Sequence, residues 1–294
     1  VTQETSTHSD TPLRVAVTGS SGKLGVAVVE DLTAHGHQVI TLDQVKPADP
    51  STGARVDLTD YGQTVDALGG IEDRYDGIDA VVHLAALPSA GLAPDVTTFE
   101  NNILASYHVF RAALRLGIRN IVHASSETLL GIPFAQDPPY LPVDEEYPVR
   151  PESTYSLVKH LEETMAHQFV RWNPDLKMVG LRFSNVMAVE DYAQFPGFDA
   201  DPTSRDWNLW AYIDRRDGAQ AVRKALTWQH TGYETFVIAN DDSVMSRSSA
   251  ELAATRFPDV KVTKELGEHE SLLSSAKAKR LFGYAPEHSW RDHV

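Results

Sequence analysis

LRVAVTGSSGKLG (Leu13–Gly25), a helix-length stretch from Gly22 to His35, and HQVITLD (His37–Asp43) follow one another without interruption. A short apolar run, a glycine-spaced turn, a helical segment and a second apolar run make a βαβ opening. Outward from it the alternation continues. A short strand is predicted at Ala54–Asp57, the apolar run IDAVVHLAA at Ile78–Ala86, a helix from about Phe99 to Leu116, and IRNIVHASS at Ile118–Ser126. Beyond a proline-rich loop (Pro133 to Pro151) come a helix from near Ser153 to about Trp172 and the buried strand KMVGLRFS. After these, the helix GAQAVRKALTWQ, the strand TFVIA and C-terminal pieces around Ser248–Thr255 and Ser275–Phe282 complete the pattern. Continuous apolar strands separated by helices imply an α/β fold, a Rossmann-type doubly wound parallel sheet covered on both faces. The irregular, aromatic-rich stretch from Asn185 to Asp214 suggests a small substrate lobe. The expected organisation is a loose tail at 1–12 and a dinucleotide-binding domain at 13–184 that also receives about 211–240. The lobe would be built from 185–210 and 241–294.

The glycine turn carries chemistry. Gly19, Gly22 and Gly25 lie where bare backbone can approach a pyrophosphate, with the first amides of the helix, at Lys23 and Leu24, supplying donors and partial positive charge. Asp43 ends the second strand about 24 residues after Gly19, close to the spacing at which an acid meets the adenosine ribose 2′-hydroxyl. Its carboxylate repels a 2′-phosphate, so NAD is the expected cofactor. NADP is the lesser alternative, because Lys23 and Lys46 are near in sequence.

Composition narrows the partners. Forty-one acidic against 26 basic residues give a net charge of −15 over 294 residues, a surface that repels nucleic acid and anionic lipid. Any anionic ligand must therefore be held by local devices. No stretch approaches the roughly 18 apolar residues that cross a membrane, and no secretory signal is evident. Without cysteine there is no disulfide framework and no thiolate site, which fits a cytoplasmic location. His160 and His167 share a predicted helix with Glu163 between them, but seven-residue spacing is not the four-residue spacing of a zinc-protease helix, so no metal is expected.

Tyr155 and Lys159, four apart in a predicted helix, lie on one face. A free phenol titrates near 10 and is a poor base at neutral pH; an adjacent ammonium stabilises its anion. The same spacing also suits a solvent-facing pair, and spacing alone leaves that open.

Taken together, TGSSGKLG (Thr18–Gly25), VDLTD (Val56–Asp60), HLAA (His83–Ala86), NNILAS (Asn101–Ser106), SSETLLG (Ser125–Gly131), YSLVK (Tyr155–Lys159) and LRFSN (Leu181–Asn185) make the chain resemble the extended short-chain dehydrogenase/reductase family. That family is the group of NAD-dependent sugar epimerases, dehydratases and dehydrogenases. The resemblance covers nearly the whole chain and implies Tyr155 as general base, with Lys159 lowering its pKa and holding the nicotinamide ribose. Ser126, chosen over Ser125 by its place five residues before Gly131, would orient the substrate oxygen. It further implies Asp57 and Leu58 at the adenine, with Leu84, Ala85, Ala86, Asn102 and Phe183 along the cofactor. Glu127, Asn185, Trp207 and Trp210 would stand, with Ser126, on the substrate side. Dehydratases of the family follow the catalytic Thr with Asp and Glu; here Glu127 and Thr128 follow, so the elimination acid is missing. The short stretch between Asn185 and Tyr212 argues for a small substrate: a sugar, sugar acid or polyol. The implied function is an NAD-dependent oxidoreductase of a carbohydrate-like carbinol acting as a homodimer. A sugar or nucleotide-sugar epimerase is the alternative, and a non-catalytic dinucleotide sensor the reading from another class.

Overall fold

The structure, a computed structural model, describes residues 11–47, 49, 51–72 and 74–293. Of the expected tail, residues 1–10 lie outside them. Seven strands form the central sheet: β1 (Arg14–Thr18), β2 (Gln38–Asp43), β3 (Gly53–Arg55), β4 (Ala80–His83), β5 (Asn120–Ser126), β6 (Lys177–Phe183) and β7 (Gly232–Ile238). All neighbours are parallel, in the order β7-β6-β5-β4-β1-β2-β3. The chain winds outward from β1 in both directions, so the strand order reverses between β1 and β4, the switch point at which such sheets bind ligands.

The helices are α1 (Lys23–Ala34), α2 (Tyr61–Gly69), α3 (Asp95–Arg115), α4 (Thr154–Trp172), α5 (Phe195–Ala200), α6 (Arg215–Thr227), α7 (Ser249–Arg256) and α8 (Ala276–Phe282). On α1, Gly25, Val28 and Leu32 recur at helical spacing and are buried against the sheet and α6. Each aliphatic side chain buried in this way contributes about 1.5–3 kcal/mol. Two elements differ most from the sequence expectation. Helix α3 begins at Asp95, four residues before Phe99: its first turn is polar and carries no apolar period, but Pro94 precedes it and Asp95 meets the positive helix end. Helix α2 went unpredicted because only Thr64, Ala67 and Leu68 are buried in nine residues that include two glycines; Asp60 caps it by accepting from the Gln63 amide at 3.1 Å.

Strand β6 is buried at every position, including two cations. Lys177 donates to the carbonyls of Leu226 and Trp228 at 2.8 and 2.7 Å, while Arg182 forms a two-pronged bond to Glu163 of α4 at 2.9 and 2.8 Å. A second core lies off the sheet, built by Leu130–Tyr147, Met187–Tyr212 and Val237–Leu273, with Phe195, Trp210, Tyr212 and Trp290 at its centre. The loop after β5 therefore packs into this second core.

Candidate active site

A cleft of about 800 Å³ runs across the carboxyl ends of the strands, from Asp43 and Val45 at one end to Ser126, Tyr155 and Lys159 at the other. Gly19, Gly22, Lys23, Leu24 and Gly25 line its middle, with Leu58, Leu84, Ala85, Ala86 and Phe183 along the walls.

The glycine turn is packed to its limit. Gly19 has φ +67°, and a Cβ there would stand 2.7 Å from the Ala85 amide nitrogen. A Cβ on Gly25 would stand 2.1 Å from the Gly19 carbonyl oxygen. Gly22 caps α1 with no side-chain hydrogen bond, so the first amides of the helix are not spent on a cap. The Asp43 carboxylate accepts from the Ser21 and Val45 amides at 2.8 and 3.2 Å, tying the end of β2 to the turn. Lys23 reaches across to Asp191, 2.5 Å away, joining the turn to the lobe.

At the other end, β5 sends consecutive serines to different neighbours. Both line the cleft, but Ser125 donates to Glu163 at 2.6 Å, whereas Ser126 accepts from the Thr128 amide and hydroxyl at 3.2 and 2.9 Å and lowers the pKa of the Tyr155 phenol. Helix α4 begins with a capping box, Ser153 and Ser156 exchanging bonds at 3.1 and 2.9 Å, which fixes the turn that carries Tyr155. The Lys159 ammonium lies 5.9 Å from the Tyr155 ring centre and donates to the Ala124 carbonyl and to Glu162, both at 2.9 Å. Burial pushes the Tyr155 phenol above its ordinary 10; Lys159 pulls it down, Glu162 pushes it up and the Ser126 hydrogen bond lowers it. For Lys159, burial works downward but is outweighed by Glu162 and Tyr155, which hold the ammonium above 10.5.

Glu127 is buried where the cleft meets the lobe. One carboxyl oxygen accepts from Asn208 at 3.2 Å and the other has no hydrogen-bond partner among the described residues. Burial pushes Glu127 up to about 7, against the opposite pull of Ser184, Asn208 and the Arg205 guanidinium. Arg205 is itself buried, donates to Asn185 at 3.0 Å and lies 5.0 Å from the Trp207 ring. A folded value above the ordinary 4.5 means that folding favours the protonated acid, so this stability is complete below 4.5 and is lost as pH rises through about 7. The non-ionising variant Glu127→Gln is therefore expected to be more stable than wild type above about pH 8, by on the order of 3 kcal/mol at most, and equal to it below about pH 4. Melting curves at both pH values check this; an unchanging difference would exclude a raised Glu127.

Three expected contacts do not reach the cleft. Asp57 turns back to accept from the Thr59 amide and hydroxyl at 3.0 and 2.7 Å, closing an Asx turn beside Leu58. Asn102 is fully buried and clamps the backbone of Leu87, accepting at 2.8 Å and donating at 3.1 Å, so it positions the wall without touching the space. Trp210, at φ +56°, donates to the Pro202 carbonyl at 2.8 Å inside the lobe core, while Trp207 and Asn185 do line the cleft. Sequence reasoning missed Asp191, Arg205 and Asn208, which lie in the irregular stretch without periodicity or motif, and Glu162, which reads like any helix-surface acid.

A seven-stranded parallel sheet reversing at β1, with a glycine turn there and a Tyr–Lys pair across the cleft, defines the Rossmann-type, dinucleotide-binding class of fold. Residues 15–201 match the NAD dependent epimerase/dehydratase family, and the chain belongs to it. A UDP-glucose 4-epimerase of Neisseria meningitidis is 29% identical over 60% of this chain, which thereby spans only 54% of that relative. The L-arabinose 1-dehydrogenase (NAD(P)(+)) of Haloferax volcanii is 28% identical over 79% of this chain and 91% of its own length. Among solved structures, UDP-glucose 4-epimerase of Thermus thermophilus in complex with NAD superposes with a TM-score of 0.68 at 24% identity, covering 94% of each chain.

Proposed function

We propose that the protein is an NAD-dependent oxidoreductase that moves a hydride at a secondary alcohol or carbonyl of a small carbohydrate-like substrate. The observation that carries this reading is the placement of Ser126, Tyr155 and Lys159 at one end of a cleft whose other end is the Asp43–glycine turn. The residues present fit the cofactor: uncapped α1 amides suit a pyrophosphate, Asp43 suits a ribose diol, and Lys159 has a third proton unspent on protein. When bound, NAD supplies the hydride acceptor. Tyr155 takes the proton of the substrate hydroxyl, Lys159 stabilises the resulting phenolate, and Ser126 orients the oxygen beside it. The near-complete span of the arabinose dehydrogenase relative, against about half of the epimerase, supports a free sugar, sugar acid or polyol over a nucleotide sugar.

The experiment is NADH absorbance with the purified protein, NAD and a panel of free sugars, uronic acids, polyols and UDP-sugars. A steady rise with a free sugar or sugar acid bears out the dehydrogenase. Isomerised sugar with no net NADH makes it an epimerase, the reading that the Neisseria relative favours. Silence in both moves the weight to a dinucleotide sensor. Asp43→Asn, which keeps the shape and removes the charge, is expected to raise the NADP-to-NAD ratio of kcat/KM on the order of tenfold or more, about 1.4 kcal/mol. An unchanged ratio places cofactor choice elsewhere.

The reading includes a cytoplasmic homodimer. It is supported by the absence of cysteine and by Leu104, Tyr107 and Leu157, exposed on α3 and α4. No helix among the described residues is long and apolar enough to cross a membrane. Light scattering tests the dimer, and a Leu157→Lys variant is the matching disruption.

A further inference from the structure

Behind Lys159 runs a buried chain of polar groups whose direction can be worked out proton by proton. Glu162, on the turn of α4 after Lys159, gives one carboxyl oxygen to the ammonium at 2.9 Å and the other to the Ser106 hydroxyl of α3 at 2.8 Å. Ser106 has one proton and spends it on Glu162. Its contact with His83 Nε2 at 3.1 Å must therefore be one in which the imidazole donates. Burial, reinforced by the Lys159 charge, drops His83 to about 3, so the ring is neutral and its Nδ1 is an acceptor. The Thr18 hydroxyl, 2.8 Å away at the end of β1, donates to it. Thr18 in turn accepts from the amides of Leu84 and Ala85 at 3.2 and 3.3 Å. Every proton in the chain thus points toward Glu162, and Thr18, His83, Ser106 and Glu162 are all buried. Both oxygens of Glu162 therefore act as acceptors at the end of this chain, one for Ser106 and one for Lys159.

Lys159 consequently reaches the cleft already paired. Two of its three protons are committed, to the Ala124 carbonyl and to Glu162, and one remains for a ligand. The other groups facing the pair are Glu127 from the turn after β5 and Glu163 from α4, whose charge is spent on Arg182 of β6. His83 and His123 from the strands are both held neutral by burial. Glu162 is the anion in direct contact with the ammonium.

We propose that Glu162 is a positioning residue for the Tyr155–Lys159 pair. Fixed by the one-way chain from Thr18 through His83 and Ser106, its carboxylate holds the lysine in place and limits how far that lysine can stabilise a phenolate. It acts as a brake on the base as well as an anchor for its partner. The proposal rests on the function given above only for the use made of Tyr155, and it is tested on the protein alone.

The test is a phenolate difference titration, wild type minus Tyr155→Phe, read in stopped-flow pH jumps ahead of alkaline unfolding and repeated in the Glu162→Gln background. Removing the charge while keeping the shape is expected to lower the Tyr155 midpoint by about one pH unit, the scale of a neighbouring like charge. A midpoint that stays or rises overturns the proposal and leaves Glu162 a structural counter-ion. Should Glu162→Gln not fold, Ser106→Ala gives the opposite sign: a carboxylate deprived of its serine proton presses harder on the phenol and raises the midpoint, and a midpoint that stays or falls overturns the proposal. Where a turned-over substrate is in hand, the acidic limb of kcat/KM is expected to move with the titration. A titration that shifts in a protein turning over no substrate would sustain the inference while failing the oxidoreductase.

Discussion

Tyr155→Phe is expected to lower kcat by roughly 10²–10⁴-fold, the usual worth of a placed proton-transfer group, with NAD affinity little changed. The substitution removes one oxygen from a ring that is already buried, so packing is kept and the Ser126 hydroxyl stays bonded to Thr128. Equilibrium binding of NAD followed by fluorescence, beside steady-state rates on the best substrate of the panel, separates the two effects. Turnover surviving within a few fold would remove Tyr155 from the chemistry. Lys159→Met is a poorer probe: it leaves Glu162 buried without its cation, and stranding one member of a buried pair costs about 3–5 kcal/mol, so lost activity would be confounded with lost fold.

Gly25→Ala is expected to abolish NAD binding and to lower the melting temperature by several degrees. The added carbon would meet the Gly19 carbonyl oxygen at 2.1 Å and the Ser20 Cα at 2.8 Å. Both are backbone atoms of the turn itself, so relief requires either opening the turn or moving α1 off the sheet. Overpacking of this kind costs typically 1–3 kcal/mol, or about 2–4 °C for each kcal/mol in a chain near this size. Gly197→Ala, where a Cβ meets nothing within 4 Å, is the control and is expected to be neutral. Thermal melts with and without NAD report both quantities, and a Gly25→Ala protein that NAD still stabilises would contradict a cofactor seated on this turn.

The parts of this architecture that sequence discloses are those written in local periods. The apolar runs at Val15–Val17, Val39–Ile40 and Ile121–Val122 are buried strand because no polar residue interrupts them, and the glycines at 19, 22 and 25 can be recognised from spacing alone. Lys177 and Arg182 lie inside the run of β6 and still count as strand, since each finds its partners from outside it. What sequence conceals is set by contacts between distant segments. Arg205 and Asn208 come to Glu127 across some eighty residues, Lys23 meets Asp191 across 168, and nothing local marks any of them. The resemblance sets Asp57 and Asn102 along the cofactor because of their motifs; what sequence does not disclose is that their side chains bond Thr59 and the Leu87 backbone. Trp210 illustrates the same limit: an aromatic residue in an irregular stretch reads equally as a stacking surface or as core, and only the packing of Pro202, Phe257 and the lobe around it decides.

The pair of serines ending β5 has a consequence for the length of that strand. Ser125 sits opposite Arg182 and Ser126 opposite Phe183, so one hydroxyl serves the Glu163 ion pair and the next is held by Thr128. Because side chains alternate with every residue, β5 is a two-beat measure. One residue gained before Ser125 would bring Ala124 to the place of Ser125 and Ser125 to that of Ser126, leaving Glu163 one donor short, whereas one lost would bring Ser126 to Glu163 and Glu127 to the place of Ser126. The carbonyl of Ala124 that seats Lys159 would be displaced by the same step. Length in this strand is therefore counted in pairs, and a single insertion here would silence the site while leaving every one of its residues in the chain.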